Sequence, residues 1–361
     1  MTGRKKSWID GILYFVNSLF ALCLLLAYAA YYISPGFIGF LEYFALAYPY
    51  ALAANVIFAL YWLLRLKIKI ILPVLCIALG YNHLERTYQW NSSNKVMGGS
   101  SSLKVMSFNV RLFNYYRSLN KEGVAGEIAQ VIQNENPDIL LVQEYFKSDE
   151  TPSLNFPYQY IELTNTGKNW GLAIFSKYPI DSANFKESYA ANGLTSNRPL
   201  RYLYADIKWR EKTIRVYNVH LQSVGLDYKA FEDIKNPQER NSEELQKGLR
   251  KIAGQISRSA ETRSQQAKTL HESISNSPHP VLLGGDFNDV PLSYTYRTIR
   301  QSLSDAFVQA GKGTGHTYRL PPLSFRIDYL MCSRQMRPQH FEVGPAGLSD
   351  HRPVWTEFEF K

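Results

Sequence analysis

Two long uncharged stretches near the start set what this 361-residue chain can fold into. Gly11 to Ile33 runs 23 residues, and Tyr43 to Leu64 runs 22, without an Asp, Glu, Lys or Arg. A helix rises about 1.5 Å per residue, so about 20 apolar residues cross the roughly 30 Å hydrocarbon core of a bilayer. No water is present there to satisfy backbone polar groups, which leaves the helix as the form that fits. A third run, Ile70 to Tyr81, has only 12 residues. Snorkelling by Lys67 and Lys69 extends it to about 16, still short for a span. The pattern predicts a membrane region over residues 1–83, with spans near 11–33 and 43–64 and a third near 67–82.

Arg4, Lys5 and Lys6 before an apolar run also fit the start of a secretory signal. The run is too long for a signal core of 7–15 residues, and further apolar runs follow. Basic residues in short loops set orientation. Arg4, Lys5 and Lys6 hold the N-terminus in the cytoplasm, and the loop Ser34–Glu42, without Lys or Arg, suits the far side. Arg65, Lys67 and Lys69 bring the next loop back. If the third run crosses, the remaining 280 or so residues lie on the extracytoplasmic side, which is the expectation; if it does not, they lie inside.

A net charge of +9 suggests nucleic acid as a partner until it is divided along the chain. Residues 1–100 hold 8 Lys and Arg against 3 Asp and Glu; the rest hold 32 against 28. The larger part is only mildly basic, weak for a nucleic-acid groove. Cys23 and Cys76 lie in apolar runs and Cys332 stands alone, so neither a disulfide framework nor a CxxC metal site is legible.

From Asn82 to Ser102 the composition turns polar, with Asn91-Ser92-Ser93-Asn94 and Gly99-Ser100-Ser101-Ser102; residues 84–102 are expected as a flexible tether. After it, Leu103–Phe108 reads as a strand, and Gly123–Glu135 as an amphipathic helix with Val124, Ile128, Val131 and Ile132 on one face. Further strands are expected at Asp138–Gln143, Leu172–Ser176, Tyr202–Trp209, Thr213–Leu221, Val281–Gly285, Arg326–Cys332 and Pro353–Phe360. A long helix is expected over Ser242–Ile274, its Arg250, Lys251, Arg258 and Arg263 on a wet face. Strands with helices at both ends predict an α/β (α+β) layered sandwich over 103–361.

Suspicious polar residues fall at strand ends, where a rigid sheet holds loops. Asn109 and Glu144 close strands, and His220 lies late in Val216–Leu221. Asp286 and Asn288 follow Val281–Gly285, and Asp350 and His351 precede the last strand. Asp328 sits inside an apolar strand and needs a partner, with Arg326 and Arg352 as candidate counterions. Singly, each has a bland reading as a cap, turn former or ion pair. Jointly they supply carboxylates, carboxamides and histidines, hard donors that suit Mg²⁺ or Mn²⁺ rather than zinc and that match the needs of phosphoester cleavage.

The motifs Met106-Ser107-Phe108-Asn109-Val110, Val142-Gln143-Glu144, Gly171–Ser176, Asn218-Val219-His220-Leu221, Gly285-Asp286-Phe287-Asn288, Arg326-Ile327-Asp328-Tyr329 and Ser349-Asp350-His351 carry a resemblance. In this order they resemble the endonuclease/exonuclease/phosphatase superfamily, which includes deoxyribonuclease I-like, exonuclease III-like and neutral sphingomyelinase-like proteins. The resemblance implies a four-layer sandwich of two mainly antiparallel sheets flanked by helices, with a site where strand ends meet. It implies Glu144 as the main Mg²⁺ ligand, Asn109 beside it and Asp350 near the metal or its waters. Asp286 orients or deprotonates the attacking water, and Asn288 donates to phosphate. His351 contacts the scissile phosphate or acts as base, held by Asp328, and His220 donates to a phosphate oxygen or assists the leaving group. Arg198, Arg201 and His316, in His316-Thr317-Tyr318, are further candidates for substrate contact, with a solvated strand edge as the alternative for the arginines.

The expected function is a membrane-anchored, Mg²⁺-dependent phosphoester hydrolase of the phosphodiesterase or nuclease type. A sphingomyelinase-like or inositol-phosphatase-like hydrolase of lipid-derived phosphoesters is the alternative, and an inert binding domain is the rival from outside enzymology. Expected partners are a phosphoester substrate, either nucleic acid or a lipid head group, and the bilayer through the N-terminal helices.

Overall fold

Long apolar runs become helices, and short runs bounded by turn residues become strands. The computed structural model describes residues 2–91, 102–117, 119–163, 169–188, 200–225, 242–320 and 323–361. The chain begins with α1 (Thr2–Tyr32), α2 (Leu41–Leu64), a 3-10 turn (Ile68–Ile70), α3 (Ile71–Leu79), α4 (Tyr81–Thr87) and β1 (Gln89–Trp90). Next come β2 (Leu103–Asn109), a tight turn (Arg111–Asn114), α5 (Val124–Glu135), β3 (Ile139–Phe146), β4 (Tyr158–Leu163) and β5 (Trp170–Ser176). They are followed by β6 (Ile180–Ser188), β7 (Leu200–Trp209), β8 (Lys212–His220), α6 (Ser242–Ser275) and β9 (Val281–Asp286). The last part holds α7 (Tyr294–Arg300), β10 (Leu303–Asp305), α8 (Ala306–Ala310), β11 (Lys312–Gly313), β12 (Tyr318–Leu320) and β13 (Leu323–Phe325). It closes with β14 (Asp328–Ser333), β15 (Met336–Val343) and β16 (Val354–Phe360).

Two compact units result. One holds Met1–Arg86, Val224–Ser264 and Val290–Arg297; the other holds Thr87–Ser223, Gln265–Asp289 and Thr298–Lys361. This division differs from the sequence boundary at residue 103. Within the stretch expected as a tether, α4 runs to Thr87 and β1 pairs with β11, while residues 92–101 lie outside those described.

The helical unit has its polarity reversed. Asn17 and Asn55 are fully buried, whereas Phe15, Leu22, Ile57, Leu60 and Leu75 are exposed. The Asn55 carboxamide donates to the carbonyls of Ala51 (2.8 Å) and Phe20 (3.0 Å), and the Trp62 indole donates to Asn17 (3.1 Å). Trp8–Tyr32 and Leu41–Leu64 are each long and apolar enough to cross a membrane; Ile68–Leu79 and Tyr81–Thr87 form a pair bent by 60°. Gly80 lies at the bend, and a Cβ there would run into the Tyr28 ring, whose hydroxyl donates to the Cys76 carbonyl at 3.1 Å. Residues 242–264 of α6 belong to this unit. Arg263 is not on a wet face: it is buried against Glu42, 3.5 Å away, whereas Arg250, Lys251 and Arg258 are exposed.

The other unit is a sandwich of two six-stranded sheets, β10-β14-β9-β8-β7-β6 and β15-β16-β2-β3-β5-β4. Alternate residues of β2 face opposite ways, as a pleated strand requires. Val105 joins Leu141, Ile174, Leu203, Val216, Leu282 and Leu330 between the sheets. Met106 and Phe108 join Ile128 and Ile132 of α5 on the outer face. Each such large apolar side chain contributes about 1.5–3 kcal/mol on burial. Most pairings are antiparallel, but β2 pairs β3 and β8 pairs β9 in parallel. A parallel pair needs a crossover, which α5 and α6 supply. The consequence for the site is direct, because the C-terminal ends of β2 and β3 lie together, as do those of β8 and β9.

Candidate active site

Strand ends deliver the polar residues. Asn109 ends β2 opposite Gln143, His220 ends β8 opposite Asp286, and Asp328 opens β14 opposite Asp286 in register. Asp328 is therefore the first residue of its strand rather than an interior one. Its partner is neither arginine considered from the sequence: Arg326 pairs with Asp305 at 2.9 Å.

Asp286 is buried and sits at the middle of the group. One oxygen accepts from the Asn288 backbone N–H at 2.7 Å. The other accepts from the side-chain amides of Asn109 and Asn288, each at 3.1 Å. His351 Nε2 and His220 Nε2 lie 3.6 and 3.7 Å from that same oxygen. His220 Nε2 is also 3.9 Å from Glu144. His351 Nδ1 meets the Asp328 carboxylate at 2.9 and 3.2 Å, which leaves Nε2 turned toward Asp286.

The backbone departs from regular geometry to achieve this. Pairing of β3 with β5 slips between Val142 and Tyr145, and Glu144 in that bulge has φ 52°. A bulge re-aims one side chain without ending the strand, and here the residue re-aimed is Glu144. Gly285 has φ 145°, and a Cβ there would strike the Val219 carbonyl on β8. Only glycine allows β9 to lie that close just before Asp286.

Several supporting residues carried no functional signal of their own in the sequence. Arg111, Leu112, Phe113 and Asn114 all have positive φ, forming a left-handed turn. Each non-glycine residue there costs roughly 1–2 kcal/mol. Asn114 ties the turn to the carbonyls of Leu119 and Lys121, and the Arg111 N–H donates to the Asn109 side chain. Arg111 then meets Asp350 at 3.3 Å, and Ser349 bonds both Asp350 and the Asn109 carbonyl. Between the sheets, Gln143 donates to Asn218 at 2.6 Å, and Asn218 donates to the carbonyls of Val142 and Ala173. This buried amide pair lies next to Glu144 in one sheet and two residues before His220 in the other.

The His316-Thr317-Tyr318 segment divides its tasks. The Tyr318 ring packs on His351 with centroids 4.9 Å apart, and the Thr317 hydroxyl accepts from the Ile327 and Asp328 N–H groups. His316 lines a separate polar cavity of about 610 Å³ with Lys312, His340, Glu342 and Arg352. Arg201 lies on β7 opposite His220 in register, and Arg198 lies outside the described residues.

Electrostatics follow from crowding carboxylates out of water. Burial pushes the Glu144 carboxyl up, and burial with Asp328 nearby holds Asp286 up at about 6 despite the pull of His351. Burial alone would lower His351, but Asp328 and Asp286 outweigh it and hold the imidazole up at about 10. Tyr318 is pushed up by burial, with Asp350 adding to the rise. Among the described residues, four carboxylates (Glu144, Asp286, Asp328 and Asp350) face two histidines and Arg111. Such a site suits an added cation, and its oxygen-rich donors match Mg²⁺ or Mn²⁺. Asp286, Asp328 and His351 offer ligand atoms within 4.8 Å of one another. The Asp328–His351 hydrogen bond uses Nδ1 and leaves Nε2 to this group, and Glu144 with Asn109 offers further oxygens beside it.

The molecule is thus an α/β sandwich of two sheets with a carboxylate–histidine–carboxamide site at converging strand ends. The sequence profile of the Endonuclease/Exonuclease/phosphatase family matches residues 106–351, and the chain belongs to that family. Residues 10–87 match a second profile, Domain of unknown function (DUF8431). No curated protein sequence matches the chain. An endonuclease/exonuclease/phosphatase of Bacteroides vulgatus shares the fold, with 20% identity, TM-score 0.54, and coverage of 72% of this chain and 100% of that one. A family protein from Bacteroides thetaiotaomicron gives 20% identity and TM-score 0.53, covering 72% and 98%. Truncated Caenorhabditis elegans TDP2 gives 18% and 0.50, covering 72% and 97%.

Proposed function

We propose that this phosphoester hydrolase is Mg²⁺-dependent and anchored in a membrane by its N-terminal helices. The convergence of Asn109, Glu144, His220, Asp286, Asn288, Asp328 and His351 from both sheets carries the catalytic reading. The reversed polarity of α1 and α2 carries the anchoring, since contiguous exposed apolar surface of that size marks a membrane or partner site.

Glu144 and Asn109 would hold the cation, with Asp350 near its waters. The ion supplies neutralisation of phosphoryl oxygens and a lowered pKa for a water. The chain's own groups do the rest. Asp286, fixed by three donors, orients the water and takes its proton. His351 is held by Asp328 with Nε2 free, and so presents a donor to the scissile phosphate. Asn288 and His220 lie on either side of Asp286 and donate to phosphoryl oxygens or to the leaving oxygen.

The test uses the full chain in detergent with bis-p-nitrophenyl phosphate. Hydrolysis is expected with Mg²⁺ and should be abolished by EDTA. Calorimetry should show Mg²⁺ binding that Glu144→Gln removes. Absence of cleavage of any phosphoester at saturating Mg²⁺ by folded protein sinks the catalytic reading. Unchanged Mg²⁺ binding in the variant sinks the assignment of Glu144.

A further inference from the structure

The two ends of the helical unit carry different chemistry. At one end, Arg65 meets Asp10 at 3.3 Å and Lys69 donates to the Asp10 carbonyl at 2.8 Å. At the other, the His83 ring lies 4.9 Å from Tyr28 and 5.1 Å from Tyr31, and Arg86 stacks over Tyr31 at 4.2 Å. Asp10 and Tyr31 stand 21 residues apart on the single helix α1, a separation of about 32 Å at 1.5 Å per residue. The side chains at the two ends of the segment Lys69–Arg86 therefore reach opposite ends of α1, although its apolar run has only 12 residues. The helical turn of α4 supplies the missing length.

A second set of contacts within the same unit concerns residues 253–263 of α6. Glu42 holds Arg263, the Tyr43 hydroxyl donates to the Ala253 carbonyl at 2.8 Å, and a Cβ built at Gly39 would lie 3.4 Å from the Ser257 Cβ. All three involve the loop after α1 and the start of α2, the end away from Arg65 and Lys69. A buried charge pair costs several kcal/mol when one partner is lost, so Glu42–Arg263 works as a clamp specific for this docking.

We infer that Ile68–Thr87 completes a third crossing as two bent halves. The chain after Thr87 then emerges on the side of the membrane opposite Arg65, Lys67 and Lys69, and residues 253–263 of α6 are held on that side by residues 39–43. Among the described residues nothing after Thr87 is long and apolar enough to cross again. Basic loops stay in the cytoplasm, so that side is extracytoplasmic. The enzyme's substrates are then phosphoesters present outside the cytosol.

The inference rests on the anchoring proposed above and is tested without any catalytic readout. Disulfide geometry wants Cβ atoms about 3.8 Å apart, so oxidation of Gly39→Cys/Ser257→Cys in isolated membranes should give a 39–257 linkage, read by peptide mapping. In spheroplasts, a membrane-impermeant maleimide should label Ser153→Cys at once and Lys67→Cys only after permeabilisation, with the unsubstituted chain as blank; both positions are exposed. Protection of Ser153→Cys, labelling of Lys67→Cys in intact spheroplasts, or an absent 39–257 linkage in folded protein overturns the inference while leaving the hydrolase reading intact. Release of the chain by alkaline carbonate overturns the anchoring itself.

Discussion

The helical unit and the sandwich are built by the same physical chemistry and arrive at opposite surfaces. In the sandwich, Leu141, Ile174, Leu203 and Leu282 are buried and charged side chains such as Lys208 and Asp181 pair on the outside. In the helical unit, Asn17, Asn55 and Asp10 are inside, and Phe15, Ile57 and Leu60 are outside. Burial is favourable only relative to the solvent being left. Against water, apolar area drives a core; against lipid, association relies on hydrogen bonds such as Asn55 to the Phe20 carbonyl and on close packing. The sandwich makes its densest exception to this rule at the strand ends, where carboxylates are buried among donors.

The largest expected effect lies at that exception. His351→Ala should cut turnover of bis-p-nitrophenyl phosphate by roughly 10²–10⁴-fold with circular dichroism unchanged. A loss of only a few-fold would remove His351 from the mechanism and reduce the site to a structural ion cluster.

Reversed polarity makes the next prediction. Ile57 is exposed near the middle of α2, and Ile57→Arg should disfavour insertion by about 2.5–3.5 kcal/mol. Glycosylation mapping of inserted chain reads this out. Insertion indistinguishable from wild type would mean that Ile57 does not face lipid.

Inside the sandwich, Asn218→Ala strips Gln143 of its shortest acceptor and leaves the carbonyls of Val142 and Ala173 without that donor. A stability loss of about 1–3 kcal/mol is expected in denaturant titration, with catalysis weakened as Glu144 and His220 lose register. A stable but inactive variant would show the amide pair to be positioning alone.

The last effect is one of pH, in chain freed of divalent ions. His351 is held up at about 10 by Asp328 and Asp286, whereas an unfolded histidine titrates near 6.5. Its contribution to stability is then fully present below about pH 6.5 and is lost as pH rises through about 10. Histidine NMR resonances should show one imidazole still protonated at pH 8. An imidazole neutral at that pH would mean that the Asp328 pairing is weaker than the geometry implies.

Central strands were legible from sequence and edge strands were not. Leu103–Phe108, Asp138–Gln143, Tyr202–Trp209 and Val281–Gly285 read as strands because both of their faces are covered, giving near-continuous apolar runs. β4, β6, β10 and β15 carry no such signal, and they are the four edges of the two sheets. An edge strand keeps one side in water, so Tyr158–Leu163 and Met336–Val343 look like polar loops. Arg263 misled for the opposite reason: its counterion Glu42 is 221 residues away and invisible to local patterning.

Local chemistry in the chain determined which residue types stand at the strand ends, how long the apolar runs are and where the basic loops fall. Composition and short motifs suffice for that, because each depends only on neighbours along the chain. Tertiary structure alone decided that a bulge turns Glu144 inward and that Tyr318 rather than His316 meets His351. Each of these is a long-range pairing, set by which strand ends and helix ends the packed layers bring within a few ångströms of one another.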